Sequence, residues 1–128
     1  MRFRHRLERT LELYLRDCYE RKTAARSDEY AQRQGLTRQY IARRAAGELG
    51  MSLHDFLRSR QLLYAEHLLR TTSYSTVAIA AMSAFGTYPT FYRAFKAAYG
   101  MTPGQYRKKF RNEHGPEVPP HSLGVRQR

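Results

Sequence analysis

The feature that most limits what this chain can fold into is a repeat within it. Thr37, Ile41, Arg43, Gly50 and Met51 are answered fifty positions on by Thr87, Phe91, Arg93, Gly100 and Met101. Phe56 and Tyr106 correspond at the same offset. Upstream the offset is forty-nine, pairing Ala31 with Ala80, Gly35 with Ala84 and Leu36 with Phe85. The second copy therefore holds one more residue between the two blocks, in what reads as a turn. Two copies of one supersecondary unit, joined by the segment between them, is the architecture such self-similarity implies.

The units are helical. Leu7, Leu11, Tyr14, Leu15 and Cys18 recur at threes and fours, which predicts an amphipathic helix from about Leu7 to Lys22. Ser27-Asp28-Glu29 reads as a helix start with Ser27 as N-cap, and Gly35 as its stop. Thr37 caps a helix to about Leu49. Ser52 caps a long one over Leu53–Arg70 that carries Leu53, Phe56, Leu57, Leu62, Ala65, Leu68 and Leu69. Further helices fit Ser75–Ala84, Thr87–Tyr99 and Pro103–Arg111, and alternating β patterns are absent. Residues 112–128, with three prolines and two glycines, read as a flexible tail. The expected fold is all-α and homeodomain-like, with seven helices in two helix-turn-helix subdomains, residues 1–51 and 71–111. A linker helix over 52–70 joins them.

Each copy has a small residue, a turn position four residues on, and an apolar anchor beyond it: Ala31, Gly35 and Ile41, then Ala80, Ala84 and Phe91. The small residue lets two helices approach, the turn position takes the left-handed backbone, and the anchor ties the second helix to the first. Once, this pattern is common in helical hairpins that bind nothing. Twice, with Arg43 and Arg93 each two residues past the anchor, it points to a shared task. Away from the anchors lie Arg38, Gln39, Ala42, Arg43 and Ala46 in the first copy, and Tyr88, Thr90, Arg93 and Lys96 in the second. Arg and Gln at the front of such a helix suit guanine and adenine edges in a major groove. The same arginines also suit a phosphate, or a carboxylate on a neighbouring helix.

Charge agrees with an anionic partner. The formal net charge is +12, and no acid lies between His67 and Asn112, where Arg70, Arg93, Lys96, Arg107, Lys108, Lys109 and Arg111 all fall. An 18-residue linker helix would span roughly 27 Å, near the ~34 Å between successive major grooves on one face of B-DNA. One chain then fills two adjacent grooves as a monomer.

Other functions find little support. His5, His54, His67, His114 and His121 have no metal or triad spacing, and Glu66-His67 adjacency puts its members on different helix faces. The single cysteine, Cys18, continues an apolar stripe and reads as core filler; it excludes a disulfide framework or a Cys-rich zinc module. No glycine loop suits a nucleotide phosphate, and no run is long enough for a membrane span or a secretion signal. A non-enzymatic protein without cofactor or metal is expected. The competing class is a basic helical nucleoid- or RNA-associated protein that contacts only the backbone.

Residues 7 to 111 resemble the DNA-binding domain of the AraC/XylS family of bacterial transcription regulators. The resemblance rests on Ile79-Ala80, Phe85-Gly86-Thr87, Phe91-Tyr92-Arg93-Ala94-Phe95-Lys96, Tyr99-Gly100-Met101-Thr102-Pro103 and Tyr106-Arg107. Leu53-His54-Asp55-Phe56-Leu57-Arg58, Arg60, Ala65 and Leu68-Leu69 extend it. It implies sequence-specific binding of double-stranded DNA and regulation of transcription, as an activator that recruits RNA polymerase in the bacterial cytoplasm. It places Gln39, Ala42 and Arg43, and Tyr88, Pro89, Thr90 and Arg93, toward the bases, with Thr37, Arg38, Thr87, Tyr92 and Lys96 toward the backbone. The length resembles the family's stand-alone members; a start at Met1 favours that over a fragment of a longer regulator with a sensor domain.

Departures from the family concentrate in the first subdomain. Arg44-Ala45 stand where the family has a Leu-Phe pair, whereas the second copy keeps Phe95. Gly47 weakens its helix, and Arg26 and Ser27 replace a cap followed by leucine. In the second copy Ala84 takes the turn glycine's place. The expectation is a looser first subdomain in which Tyr30 and Tyr40 fill the missing volume and Ala45→Phe is stabilising.

Overall fold

The computed structural model describes residues 2–114, with side chains from Arg6 to Arg111. Seven helices and no strand occur among them: α1 (Arg2–Arg21), α2 (Ser27–Gln34), α3 (Arg38–Leu49), α4 (Leu53–Thr71), α5 (Thr76–Met82), α6 (Tyr88–Tyr99) and α7 (Pro103–His114). The all-α expectation holds. α1 begins five residues earlier than the apolar stripe suggests, and α7 takes in three residues expected in the tail. The rest of that tail, residues 115–128, lies outside the described residues.

Side-chain hydroxyls start most of these helices. Thr37, Ser52, Ser75 and Thr87 accept the backbone N–H of Tyr40, Asp55, Ala78 and Thr90. At α7 the exchange is reciprocal: Thr102 Oγ1 accepts from Gln105 N at 3.1 Å while Gln105 Oε1 accepts from Thr102 N at 2.9 Å. The α2 start differs from expectation. Ser27 is already helical, and the extended residue before it, Arg26, is the cap without a side-chain cap bond. A distant phenol serves instead. Tyr14 Oη accepts the Arg26 N–H at 3.0 Å and donates to the Glu29 carboxylate at 2.5 Å. Burial pushes the Tyr14 pKa far above its ordinary value, so the phenol stays a donor.

The turns locate the extra residue of the second copy. Gly35 and Ala84 both take left-handed backbone, at φ 69° and 64°, which confirms their correspondence. Gly86, at φ 87°, has no counterpart before Thr37 and is the inserted residue. α5 stops at Met82 rather than Ala84, since Ala84 itself has the left-handed backbone that ends a helix.

There are two cores, and α4 belongs to both. Its Leu53, Phe56 and Leu57 pack with Leu7, Leu11, Leu15, Tyr30, Ile41 and Leu49. One turn on, Leu62, Ala65, Leu68 and Leu69 pack with Ile79, Phe85, Phe91, Phe95 and Tyr106. At 19 residues α4 spans about 28 Å. The two halves solve the same volume problem in opposite ways. Tyr30 and Ala45 occupy the first core where Ile79 and Phe95 occupy the second, and all four are buried. Tyr30 is buried in the same core as Ala45. Tyr40 is not: it is 42% exposed, because α3 turns Ile41 inward and position 40 out.

Candidate nucleic-acid interface

Helix α3 buries Ile41, Ala45 and Leu49 and leaves Arg38, Gln39, Ala42, Arg43 and Ala46 exposed. Helix α6 buries Phe91 and Phe95 and exposes Pro89, Arg93, Lys96 and Ala97. Tyr88, Thr90 and Tyr92 are half-buried, and Tyr88 leans on the second core with its ring 6.1 Å from Phe91 and 6.0 Å from Tyr92. Thr37 and Thr87 are exposed at the front of each helix, their oxygens already engaged as caps. Thr87 and Thr90 also share a hydroxyl contact at 2.9 Å. Every side chain expected on the outward faces is thus at the surface, wholly or in part.

Several cations elsewhere are engaged by the fold. Arg33 pairs with Asp17 and Glu29, Arg44 with Glu48, Arg60 with Glu12, and Arg70 with Glu66. Arg107 donates to the carbonyls of Leu69 and Thr72, each at 3.1 Å, and Arg111 to Ser73, so part of the acid-free stretch is structural. Burial lowers the Arg107 pKa from its ordinary value. By contrast, Arg38, Arg43, Arg93 and Lys96 have no ion pair among the described residues. Arg43 only lies 6.0 Å from the centre of the Tyr40 ring. The carboxylate-pairing option left open for Arg43 and Arg93 is not taken.

Two grooves separate these helices, and they meet at one residue. The first, about 460 Å³, is lined by Arg38, Gln39 and Ala42 of α3 and by Ser52 and His54 at the start of α4, with Asp28 at its rim. The second, about 520 Å³, is lined by His54 and Arg58 of α4 and by Thr90, Arg93 and Ala97 of α6. His54 borders both, so the two grooves adjoin at the start of α4. The Asp28 carboxylate is held by Arg26 at 3.2 Å, which lowers its pKa and sets a positive charge against it at the rim.

His54 and Arg58 are the members of this surface that sequence reading missed. Arg58 lies over the Phe85 ring at 4.9 Å, and its buried Nη1 has no hydrogen-bond partner among the described residues. Burial pulls its pKa down. Their position four residues apart on the unclaimed face of α4 was the available signal. Only the placement of α3 and α6 gives it meaning. Among the described residues, no group of His, Cys, Asp and Glu is arranged to hold a metal ion, and no helix is long and apolar enough to cross a membrane.

Comparison with known proteins agrees with this geometry. A helix-turn-helix domain family model matches residues 30–109. The chain is 32% identical over 80 residues to the HTH-type transcriptional activator AarP of Providencia stuartii, covering 62% of this chain and 59% of that protein. It is 33% identical over 73 residues to the xylose operon regulatory protein of Escherichia coli, covering 57% of this chain but 19% of that one. It thus spans less than two thirds of either relative. Among solved structures, the DNA-binding domain of AdpA in complex with a target DNA superposes with a TM-score of 0.74 at 22% identity, covering 84% of this chain and 94% of that one. Its repeat, its paired recognition units and these matches lead to one assignment: the chain belongs to the AraC/XylS family of helix-turn-helix DNA-binding transcription regulators, a family of binding proteins rather than enzymes.

Proposed function

We propose that the protein reads a double-stranded DNA site by placing α3 and α6 in successive major grooves on one face of the duplex. The observation that carries this is the meeting of the two grooves at His54, with the unpaired Arg38 and Arg93 lining them and Arg43 and Lys96 exposed on the same two helices. Gln39, Ala42 and Arg43 then face one set of bases, and Pro89, Thr90, Arg93 and the exposed edge of Tyr88 the other. Thr37, Arg38, Thr87, Tyr92 and Lys96 hold phosphates. Arg43 and Arg93 supply planar forks for guanine, Gln39 a donor–acceptor pair for adenine, and Ala42 and Pro89 apolar contact for a thymine methyl. The 19-residue α4 falls short of the ~34 Å groove repeat, so the duplex bends, at a cost of about 1–6 kcal/mol.

Two reading units in one chain remove the need for a dimer, so the protein binds as a monomer. It acts in the bacterial cytoplasm and activates transcription by contacting RNA polymerase; the relative named as an activator supports the sign. Selection from randomised duplexes tests the reading. The expected product is a motif in two blocks about 10 base pairs apart, preferred over random DNA by ~10³-fold or more. A selection that returns no motif would contradict the reading and leave contact with the backbone alone as the alternative.

A further inference from the structure

The two halves meet at the turn that leads into α6. Ala84 belongs to the second helix-turn-helix by sequence, yet it is buried in the first core. The next residue, Phe85, lies in the second. The turn between α5 and α6 is thus inserted between the two cores. Its backbone is held from two directions. Gln61, 2% exposed and midway along α4, donates its side-chain amide to the carbonyls of Ser83 at 3.1 Å and Ala84 at 2.7 Å. The Ala84 carbonyl also accepts the N–H of Ala25, in the α1–α2 connection, at 3.0 Å. Beside it, a methyl placed on Gly86 would sit 3.0 Å from the Ala24 side chain, so the two loops are in close approach.

We infer that Gln61 is a positioning residue that sets the relative orientation of α3 and α6, and through it the spacing of the two DNA half-sites the protein accepts. Gln61 sits between the part of α4 that packs in the first core and the part that packs in the second. It is the polar group there that grips the neighbouring unit's turn. Without its donors, the Ser83 carbonyl loses its side-chain partner and the turn is held through Ala25 alone. A hydrogen-bonded joint has a direction as well as a strength, and an apolar one does not. Two linked binding units gain from each other only while their separation matches the sites they span. A joint that holds one angle therefore makes a preference for one spacing, whatever the base contacts are.

This rests on the two-groove reading above, and the test keeps the two apart. Duplexes carrying the selected motif are compared at its natural spacing, with one base pair added or removed between the blocks, and with one block alone. The native protein should lose ~10-fold or more in affinity for a change of one base pair. Gln61→Leu, which keeps the helix and the buried volume, should reduce that discrimination to less than about threefold while single-block affinity stays unchanged. In the free protein, spin labels at Ala46→Cys and Ala97→Cys in a Cys18→Ala background should give one narrow distance that Gln61→Leu broadens. If Gln61→Leu does not fold, Ala24→Val, which pushes methyl groups against Gly86, is read in the same two ways. Undiminished discrimination and an unchanged distance distribution in the variant that folds would overturn the inference. A selection that yields no two-block motif would overturn the two-groove reading instead.

Discussion

Ala84 holds the left-handed backbone that Gly35 holds in the first copy, at φ 64° against 69°, and differs from it in being buried where Gly35 is exposed. A side chain in that conformation costs about 1–2 kcal/mol. At Gly35 nothing lies within 4 Å of an added methyl, so no packing would offset the strain. At Ala84 a buried methyl returns about 0.8 kcal/mol, and alanine costs less chain entropy than glycine by about 0.4–1 kcal/mol. Urea denaturation should therefore show Gly35→Ala destabilising by about 1 kcal/mol and Ala84→Gly changing stability by less than about that much. Stabilisation by ~2 kcal/mol or more on Ala84→Gly would show that the methyl contributes no packing.

The exchange of large and small residues between the cores makes a second prediction. With Tyr30 and Ala45 both fully packed, Ala45→Phe overfills the first core and should cost about 1–3 kcal/mol. This reverses the expectation formed from the family pattern alone. Tyr30→Ile in the same chain copies the arrangement of Ile79 and Phe95 and should recover at least half of the loss. Tyr30 Oη also contacts Thr10 Oγ1 at 2.7 Å, so the recovery is expected to be incomplete. Thermal melts of the two single variants and the pair measure the coupling directly.

Much of this was legible in the sequence because it depends on local spacing. The apolar stripe of α1, the hydroxyl caps, the buried face of α4 and the outward faces of α3 and α6 all follow from residues a few positions apart. The change of offset even located the added turn residue, which proves to be Gly86. What escaped depends on partners far along the chain. Tyr14 serving the start of α2, Gln61 gripping the turn at Ser83 and Ala84, and Ala84 lying in the other unit's core are tertiary events with no local signature. Tyr40 was misplaced for a related reason. A tyrosine near an anchor looks like core material until the helix phase is fixed by Ile41. The placement of His54 between the recognition helices was likewise invisible until α4 had both neighbours.

Gly47 lies inside α3 with open space where a methyl would go and without positive φ. Gly47→Ala should raise stability by about 0.5–1 kcal/mol through helix propensity alone. Because residue 47 lies outside the face assigned to DNA, affinity for the selected duplex should not fall. A loss of affinity without loss of stability would show that α3 approaches the duplex along a different edge.

Arg93 and Lys96 lie one turn apart on α6 and are assigned different tasks. Arg93→Ala should cost about 1–3 kcal/mol on the selected duplex and relax selectivity at one or two base positions. Lys96→Ala should weaken binding to all duplexes alike and reduce the slope of log affinity against log salt by about 1. Binding measured across single-base variants at several salt concentrations separates the two patterns. A uniform loss for Arg93→Ala would make it a phosphate contact.

Hydroxyl-radical footprinting on the selected duplex tests the central claim most directly. Simultaneous entry of α3 and α6 from one side predicts two protected stretches whose centres lie about one helical turn apart, roughly 10 base pairs, on the same face. Arg43→Ala should weaken one stretch and Arg93→Ala the other. A single protected stretch, or two on opposite faces of the duplex, would contradict the account.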